Sequence, residues 1–196
     1  MTGIVLSGGG SRRMGTDKAF LELSGRPIIE HILDVLHGVF ETVIIVTNSP
    51  PLYAAYDAVV VTDALEAPGP LTGIYSGLLA SKDDYNFIVA CDMPFLNPAL
   101  LSYMTGLAEG YDAVVPKIGG FCEPLHAVYS RGMLPRIESS IRRNSQRLHG
   151  LFEGVRVRYV AGEEIDRFDP QRRSFKNLNT PQEYKEAVCS DLECRN

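Results

Sequence analysis

A glycine-rich segment near the start of the chain contains the residue types that bind phosphate groups. It has the sequence Leu6-Ser7-Gly8-Gly9-Gly10-Ser11-Arg12-Arg13-Met14-Gly15-Thr16-Asp17-Lys18 and directly follows an apolar run. Because glycine permits positive φ angles and close backbone approach, successive amide N–H groups in such a turn can form an anion-binding concavity. Arg13 and Lys18 add positive charge, which a triphosphate needs as negative charge develops on its leaving pyrophosphate. The segment therefore predicts a triphosphate site.

Two familiar glycine motifs do not fit this segment. A Walker loop requires Gly-Lys-Ser/Thr in succession, whereas Thr16 and Asp17 separate Gly15 from Lys18. A dinucleotide fingerprint that began at Gly8 would require glycine where Arg13 stands. The remaining alternative is a tight turn with solvated basic side chains, and the Arg-Met-Gly-x-x-Lys pattern argues against it.

Two aspartates follow apolar runs that are typical of buried strands. Asp63 comes after residues 59–61 and Thr62, and Asp92 comes after residues 87–91. In a parallel sheet the carboxyl ends of the strands lie at one edge, so both carboxylates are expected at the edge that holds the glycine-rich segment. The alternative for each aspartate is an Asx turn that ends a strand.

Asp92 is the expected metal ligand. Nucleotidyl transfer needs a carboxylate to hold Mg²⁺, or Mn²⁺ in its place, while phosphate oxygens and water complete the coordination shell. Pro94 fixes its own φ angle and favours an extended Met93, which directs the turn away from the strand. Asp63 could instead contact the nucleoside.

The elements that must position these residues alternate between strands and helices. Apolar runs predict strands at residues 4–6, 43–46, 58–61, 87–90, 113–115 and 127–129. Spacings of three and four, with proline or threonine near the starts, predict helices over 27–36, 72–81, 98–109 and 181–190. This alternation predicts a three-layer, doubly wound α/β fold with a mostly parallel, Rossmann-like sheet, as a single domain over 1–196. Residues 141–150 are either a solvated helix face or an anion-binding edge.

Composition excludes several classes of protein. The net charge of −5, with 19 basic residues dispersed along the chain, argues against binding to a nucleic acid backbone. The apolar stretch at Ile4–Leu6 is far shorter than a secretory or membrane-spanning segment, so a cytoplasmic protein without membrane contact is expected. The four cysteines form no Cys-x-x-Cys pair and are expected to be reduced. The four histidines lack metal-ligand spacing.

The motifs together resemble one known family. The glycine-rich segment, Asp63, and the blocks Gly-Pro-Leu-Thr-Gly (69–73), Cys-Asp-Met-Pro (91–94), Glu-Pro-Leu (123–125) and Asn-Leu-Asn-Thr-Pro (177–181) cover nearly the whole chain. They are similar to the NTP-transferase superfamily, and most closely to the molybdenum cofactor guanylyltransferases, the MobA family. The resemblance implies transfer of GMP from GTP to molybdenum-bearing molybdopterin, with release of pyrophosphate and formation of a molybdopterin guanine dinucleotide.

The resemblance also implies roles for individual residues. Lys18, Arg13 and Asp92 would be catalytic, and Asp92 would hold the metal. The nucleotide would contact Leu6, Ser7, Gly8, Gly9, Gly10, Lys18, Asp63 and Asp92. The pterin is expected near residues 121–126 and 177–179, with Asn177 and Asn179 binding the acceptor. Partners would be GTP, molybdopterin and proteins that deliver or accept the molybdenum cofactor.

Two positions differ from the family pattern. Ser7 stands where alanine is usual, and little consequence is expected because both residues are small. Val46 stands where some relatives have an asparagine that contacts the nucleotide, so this contact is in question.

Other functions stay open. A cytidylyltransferase acting on the same pterin shares the phosphate loop, although Gly-Pro-Leu-Thr-Gly favours guanine. Sugar-phosphate nucleotidyltransferases share the opening motif but are usually longer. A nucleotide-binding regulator without catalysis would not need Lys18, Asp63 and Asp92 together.

Overall fold

The structure is a computed structural model that describes residues 1–8, 18–143, 148–180 and 182–184. Its strands are β1 Thr2–Leu6, β2 Glu22–Leu23, β3 Arg26–Pro27, β4 Thr42–Val46, β5 Val59–Val61, β6 Tyr85–Ala90, β7 Ala113–Ile118, β8 Phe121–Cys122, β9 His126–Ser130 and β10 Val157–Ala161. Its α-helices are α1 Ile28–Val39, α2 Pro70–Ala80, α3 Pro98–Gly106, α4 Leu134–Arg142 and α5 Gly162–Ile165. Short 3₁₀ turns include Lys18–Phe20, Pro50–Tyr53 and Arg173–Phe175.

The main sheet has the order β10-β7-β9-β6-β1-β4-β5, with β8 paired to β7 and β2-β3 forming a separate ribbon. β1 pairs in parallel with both β4 and β6, and β4 pairs in parallel with β5. β9 runs antiparallel to its neighbours β6 and β7. The predicted mostly parallel sheet is confirmed.

Helices cover both faces of the sheet. All five residues of β1 are buried, which explains its uninterrupted apolar pattern. Val5 contributes to the hydrophobic cluster that includes α1 and α3, whereas Ile4 and Leu6 contribute to the cluster that includes α2 and α4. Successive side chains of β1 thus point to opposite layers, and the predicted three-layer arrangement is confirmed.

Three predicted helices differ from the structure at their ends, and the one expected over 27–36 runs from Ile28 to Val39. The helix expected over 72–81 begins earlier, at Pro70, because proline suits the first helical position, where no amide partner is needed. The helix expected over 98–109 ends at Gly106 and is capped at its start by Asn97, whose side chain accepts from the Leu100 amide at 3.0 Å.

The sequence patterns missed the short elements β2, β3, β8 and α5 and two longer ones, α4 and β10. Within α4 only Ile137 is fully buried, and β10 is an edge strand with one buried residue, Val160. Such partial burial leaves a weak apolar pattern. Residues 141–143 end α4 with an exposed Arg142, but Arg147 lies outside the described residues. The helix expected over 181–190 also lies outside them, except for residues 182–184.

In the part of the chain that the structure describes, no helix has the length and apolar character needed to cross a membrane.

Candidate active site

A cleft of about 1020 Å³ opens at the carboxyl ends of β1, β4, β5 and β6. After β1 the chain adds β4 and β5 on one side and then returns to place β6 on the other, so the sheet reverses its direction of winding at β1. Ligands of open α/β sheets bind at such a switch point. The cleft lies at the upper end of the roughly 300–1,000 Å³ typical of small-molecule sites.

Lys18 lies at the centre of the polar wall of this cleft. Its Nζ donates to the side-chain oxygen of Asn179 at 2.8 Å and lies 4.0 Å from Oδ2 of Asp92. The side chains of Lys18 and Asp92 are only 18% and 22% exposed, so both charges are partly withdrawn from water. The sheet and the C-terminal segment thus bring three of the predicted site residues together.

The carboxylate of Asp92 is destabilised by its surroundings. Burial raises the pKa of Asp92, and the nearby charge of Lys18 partly opposes this rise. The turn that presents the carboxylate is held by the Met93 amide, which donates to the Ala90 carbonyl at 3.2 Å. A cation beside this carboxylate would be favoured because it offsets the cost of burial.

The segment 177–180 is tied to the same turn. The Leu178 amide donates to the Asp92 carbonyl at 2.9 Å. The Glu183 carboxylate accepts from the amides of Asn179 and Thr180 at 2.8 and 2.9 Å, and these bonds lower the pKa of Glu183. The Glu183 amide donates back to Thr180 Oγ1 at 3.2 Å, which forms a capping box. Thr180 and Glu183 thereby satisfy each other's backbone N–H groups.

Asp63 lies on the other side of β1 from Asp92. Its Oδ2 accepts from the Asn48 side chain at 2.8 Å, and both residues line the cleft. Three strand spacings separate β5 from β6, roughly 14 Å, so the two aspartates enter the cleft from opposite sides. The two predicted carboxylates therefore bracket the cleft.

Asn48 is a site residue that the sequence reasoning missed. The family resemblance places a nucleotide-contacting asparagine at position 46, where this chain has Val46 at the end of β4. The side-chain amide of Asn48 lies two residues further along, after the buried Thr47. The Asn48 side chain lies close to Gly8, at the start of the glycine-rich segment 6–18 (the phosphate segment below). A Cβ atom on Gly8 would lie 3.8 Å from Asn48 Nδ2. The sequence signal that could have identified Asn48 is a polar side chain just after the apolar run of β4.

The remaining predicted nucleotide contacts have mixed placements. Leu6 and Gly8 line the cleft, whereas Ser7 is buried and its amide donates to the Val46 carbonyl at 2.8 Å. The Ser7 hydroxyl forms a buried hydrogen bond with Tyr53 at 2.5 Å, which an alanine could not make, and the expectation of little consequence stays a prediction. Gly9, Gly10 and Arg13 lie outside the described residues.

The Gly-Pro-Leu-Thr-Gly block forms the start of α2 and contributes Gly69, Pro70 and Gly73 to the cleft. Gly69 has a φ angle of 108°, which glycine adopts without strain. Thr72 fixes the loop before the helix by donating from Oγ1 to the Ala67 carbonyl at 2.9 Å. Backbone groups are thus held beside Asp63, where a base edge could meet them.

Only part of the expected pterin region reaches the cleft. Glu123, Pro124 and Leu125 line it, as do Asn177 and Asn179. His126 is fully buried, with neither ring nitrogen hydrogen-bonded to any described residue. Phe121 is 72% exposed in β8 and is not part of the cleft wall. Of the residues expected near the pterin over 121–126, only 123–125 are among those that line the cleft.

The donor set suits a metal that is completed by substrate. Among the described residues, no group of three or more His, Cys, Asp or Glu side chains could hold a metal ion. The Asp92 carboxylate and the Asn179 amide oxygen both lie next to Lys18 and are hard oxygen ligands. Mg²⁺ typically uses one or two carboxylates and takes its other ligands from phosphates and water, so these residues fit it.

The family model for the MobA-like NTP transferase domain matches residues 3–159. The chain belongs to the MobA-like NTP transferase family. The match covers the phosphate segment, both aspartates and the sheet that positions them, and it makes the chain a nucleotidyltransferase.

Individual relatives of this MobA-like NTP transferase are similar over nearly their full length. The molybdenum cofactor guanylyltransferase of Desulfosudis oleivorans is 39% identical over 189 residues, covering 95% of this chain and 94% of the relative. That of Syntrophotalea carbinolica is 35% identical over 184 residues, covering 93% and 88%.

Solved structures agree with the fold of this MobA-like NTP transferase. The molybdopterin-guanine dinucleotide biosynthesis protein A of Archaeoglobus fulgidus superposes with a TM-score of 0.85 at 30% identity, covering 97% of this chain and 100% of that one. The 4-diphosphocytidyl-2C-methyl-D-erythritol synthase of Anaerococcus prevotii superposes at 0.70 with 14% identity, covering 97% of each chain, and shares the fold alone.

Proposed function

We propose that this protein transfers GMP from GTP to the terminal phosphate of molybdenum-bearing molybdopterin, forming molybdopterin guanine dinucleotide and releasing pyrophosphate. The observation that supports it most is the meeting of Lys18, Asp92 and Asn179 at the switch point of the sheet. The guanylyltransferases of similar sequence named above supply the substrate pair.

Catalysis by these residues is positioning and charge neutralisation. The acceptor phosphate attacks the α-phosphorus in line with the leaving pyrophosphate; a P–O bond forms as the bond to the β-phosphate oxygen breaks. Lys18 and Arg13 offset the charge on the phosphate oxygens, and amides of Gly8, Gly9 and Gly10 restrict the triphosphate. Because the acceptor phosphate is already ionised at neutral pH, no general base is needed.

Asp92 and the side-chain oxygen of Asn179 would hold Mg²⁺, or Mn²⁺ in its place. When bound, the ion would supply positive charge that stabilises the negative charge developing on the phosphates. Lys18 could then turn from Asn179 to the phosphates, whose oxygens carry more negative charge than a neutral amide oxygen. Asp92 accordingly acts both as metal ligand and as nucleotide contact.

The nucleoside lies towards Asp63. Asn48 orients the Asp63 carboxylate, which can accept from a ribose hydroxyl or from the N–H groups of guanine. Leu6 and the turn at 69–73 line the cleft and contribute backbone groups, whereas the Ser7 amide is already bonded to Val46 and leaves only the Ser7 carbonyl. A guanine edge carries donors that a carboxylate recognises, whereas cytosine offers only one amino group there.

The acceptor occupies the opposite part of the cleft. Asn177 and Asn179 bind its phosphate end near Asp92, and the wall formed by residues 123–125 contacts the pterin. The activity belongs to a single nucleotidyltransferase domain over 1–196 that acts in the cytoplasm. Proteins that deliver or accept the molybdenum cofactor bind this domain at the open cleft.

Competition among nucleotides tests the function. With molybdopterin as acceptor, labelled GTP should be consumed and excess CTP or ATP should compete weakly, because Asp63 lies beside the base-binding turn. Asp92→Asn should abolish turnover while its fold is retained, as measured by circular dichroism. Preference for CTP would make the enzyme a cytidylyltransferase, and nucleotide binding without turnover would make it a regulator.

A further inference from the structure

Tyr53 is a fully buried tyrosine with its hydroxyl inside the protein. It ends the 3₁₀ turn Pro50–Tyr53 that follows β4, and its hydroxyl shares a 2.5 Å hydrogen bond with Oγ of Ser7. Ser7 is only 3% exposed. A buried hydroxyl pair of this kind contributes little net stability, yet it is costly to break because the remaining hydroxyl loses its partner.

The ring of Tyr53 contacts a residue on the far side of the phosphate segment. Its centroid lies 5.0 Å from that of Phe20, at an angle of 49° between the ring planes. Phe20 ends the same 3₁₀ turn that begins with Lys18. The Leu21 amide donates to the Lys18 carbonyl at 3.2 Å, so this turn has a defined backbone geometry.

Tyr53 therefore joins both flanks of the phosphate segment. Through its hydroxyl it holds Ser7, which precedes Gly8, and through its ring it holds the turn that presents Lys18. We propose that Tyr53 is a positioning residue for the nucleotide site, which sets the distance between the Gly8 backbone and Lys18. The inference rests on the proposed function, because it requires Gly8 and Lys18 to bind the same triphosphate.

The physical reason is preorganisation. Donors on Gly8 and the cation of Lys18 must meet the same triphosphate, and each loses binding energy if the protein must first bring them together. Tyr53 supplies that arrangement from outside the cleft, since it does not line the cavity. Ser7 matters for the same reason, because an alanine there could not hold the hydroxyl of Tyr53.

Removal of the hydroxyl tests the inference. Tyr53→Phe keeps the ring contact with Phe20 and should raise the Kd for GTP about tenfold, the factor expected for one disrupted buried hydrogen bond. The KM for the pterin acceptor should change by less than about twofold, since only the GTP site loses preorganisation. A purely structural role would instead reduce the amount of active enzyme and leave both constants unchanged.

Ser7→Ala provides an independent variant. It removes the other hydroxyl and should raise the Kd for GTP by a similar factor. The double variant Ser7→Ala/Tyr53→Phe should be no worse than either single variant, because both substitutions break one interaction. Additive losses in the double variant would overturn the inference.

Tyr56→Phe is the matched control. The Tyr56 ring also lies near Phe20, with centroids 6.5 Å apart, but among the described residues its hydroxyl makes no hydrogen bond of the kind seen at Tyr53. It should leave the Kd for GTP within about twofold of wild type. Equal effects at Tyr53 and Tyr56, or an unchanged Kd in Tyr53→Phe, would overturn the inference.

Failure of the proposed function would look different. A wild-type protein that binds GTP but transfers no GMP would refute the function, and the Kd values for GTP in the three variants would still decide the role of Tyr53. A wild-type protein that binds no GTP would refute both.

Discussion

Lys18 lies between the amide oxygen of Asn179 and a carboxylate oxygen of Asp92, two residues that are far from it in the sequence. The Asn179 oxygen is at 2.8 Å and the Asp92 oxygen at 4.0 Å. A triphosphate entering the cleft supplies oxygens that carry more charge than Asn179, so Lys18 can exchange partners with little movement. This arrangement explains how the lysine stays oriented before the nucleotide arrives.

Lys18→Met should lower kcat/KM for GTP by about 10²–10³, the loss typical when one charge-stabilising group is removed from a transition state. Methionine is unbranched like lysine and only one atom shorter, so the fold should be unchanged. Steady-state kinetics with varied GTP measure the effect.

Lys117→Met is the matched control for that experiment. Lys117 lies outside the cleft, with its Nζ 5.2 Å from the centroid of the Tyr159 ring. Its loss should leave kcat/KM within about twofold of wild type. Comparable losses in the two variants would show that net charge, rather than the position of Lys18, governs GTP use.

His126 determines part of the acid sensitivity of the fold. Its ring lies between Phe87, at 5.1 Å, and Phe175, at 4.7 Å. Burial lowers its pKa to about 3, against a smaller opposing effect of Asp169. Because the unfolded chain then binds a proton near pH 6.5 and the folded chain does not, stability falls as the pH decreases from 6.5 towards 3.

His126→Phe should remove this contribution, which has a slope of at most about 1.4 kcal/mol per pH unit. Urea unfolding at pH 7 and pH 4.5 measures the difference between variant and wild type. His37→Phe, at an exposed position of α1, is the matched control and should keep the wild-type slope because it leaves the buried His126 in place. A wild-type slope in His126→Phe would show that other groups control acid unfolding.

Helix α2 approaches the sheet closely because it has glycine where it crosses β1. A Cβ atom on Gly77 would lie 2.6 Å from Ile4 Cγ2 and 3.2 Å from Val46 Cγ2. The Ile4 side chain is branched next to the backbone and cannot move far. This close approach places Gly69 and Pro70, at the start of α2, beside the cleft.

Gly77→Ala should lower the free energy of unfolding by about 1–2 kcal/mol, because the overpacking cost exceeds the helix-propensity gain of alanine. It should also raise the KM for GTP, since α2 carries the turn at 69–73. Gly38→Ala is the matched control in α1, where nothing lies within 4 Å of the added Cβ. That variant should be stabilised by up to about 1 kcal/mol. Destabilisation of both variants alike would remove the packing argument.

The two hydrophobic clusters share one sheet, since β1 contributes Val5 to one cluster and Ile4 to the other. Unfolding in urea should therefore give a single transition for the chain, as expected for one domain. Two separate transitions would refute the single-domain proposal.

GTP binding should stabilise the whole chain against this unfolding transition. GTP with Mg²⁺ at 100 times its Kd should raise the free energy of unfolding by about 2.7 kcal/mol. Lys18→Met should lose most of this increase at the same GTP concentration while its unliganded stability stays near wild type. An equal increase in both proteins would place the nucleotide away from Lys18.

Local sequence was sufficient to predict the mostly parallel sheet and the two aspartates that follow its strands, whereas phosphate binding by the glycine-rich segment stays a prediction. These features depend on short-range properties: glycine conformational freedom, uninterrupted apolar runs, and the rule that parallel strands end at one edge. The same local patterns missed α4 and β10, whose exposed positions dilute the apolar signal.

Contacts between remote segments required the three-dimensional structure. Lys18 and Asn179 are separated by 161 positions, and Ser7 and Tyr53 by 46. The pairing of Asn48 with Asp63 depends on β4 and β5 being neighbours. Periodicity encodes which face of an element is buried, but it does not encode strand order or which side chains meet across the sheet edge, because those follow from packing of the complete chain.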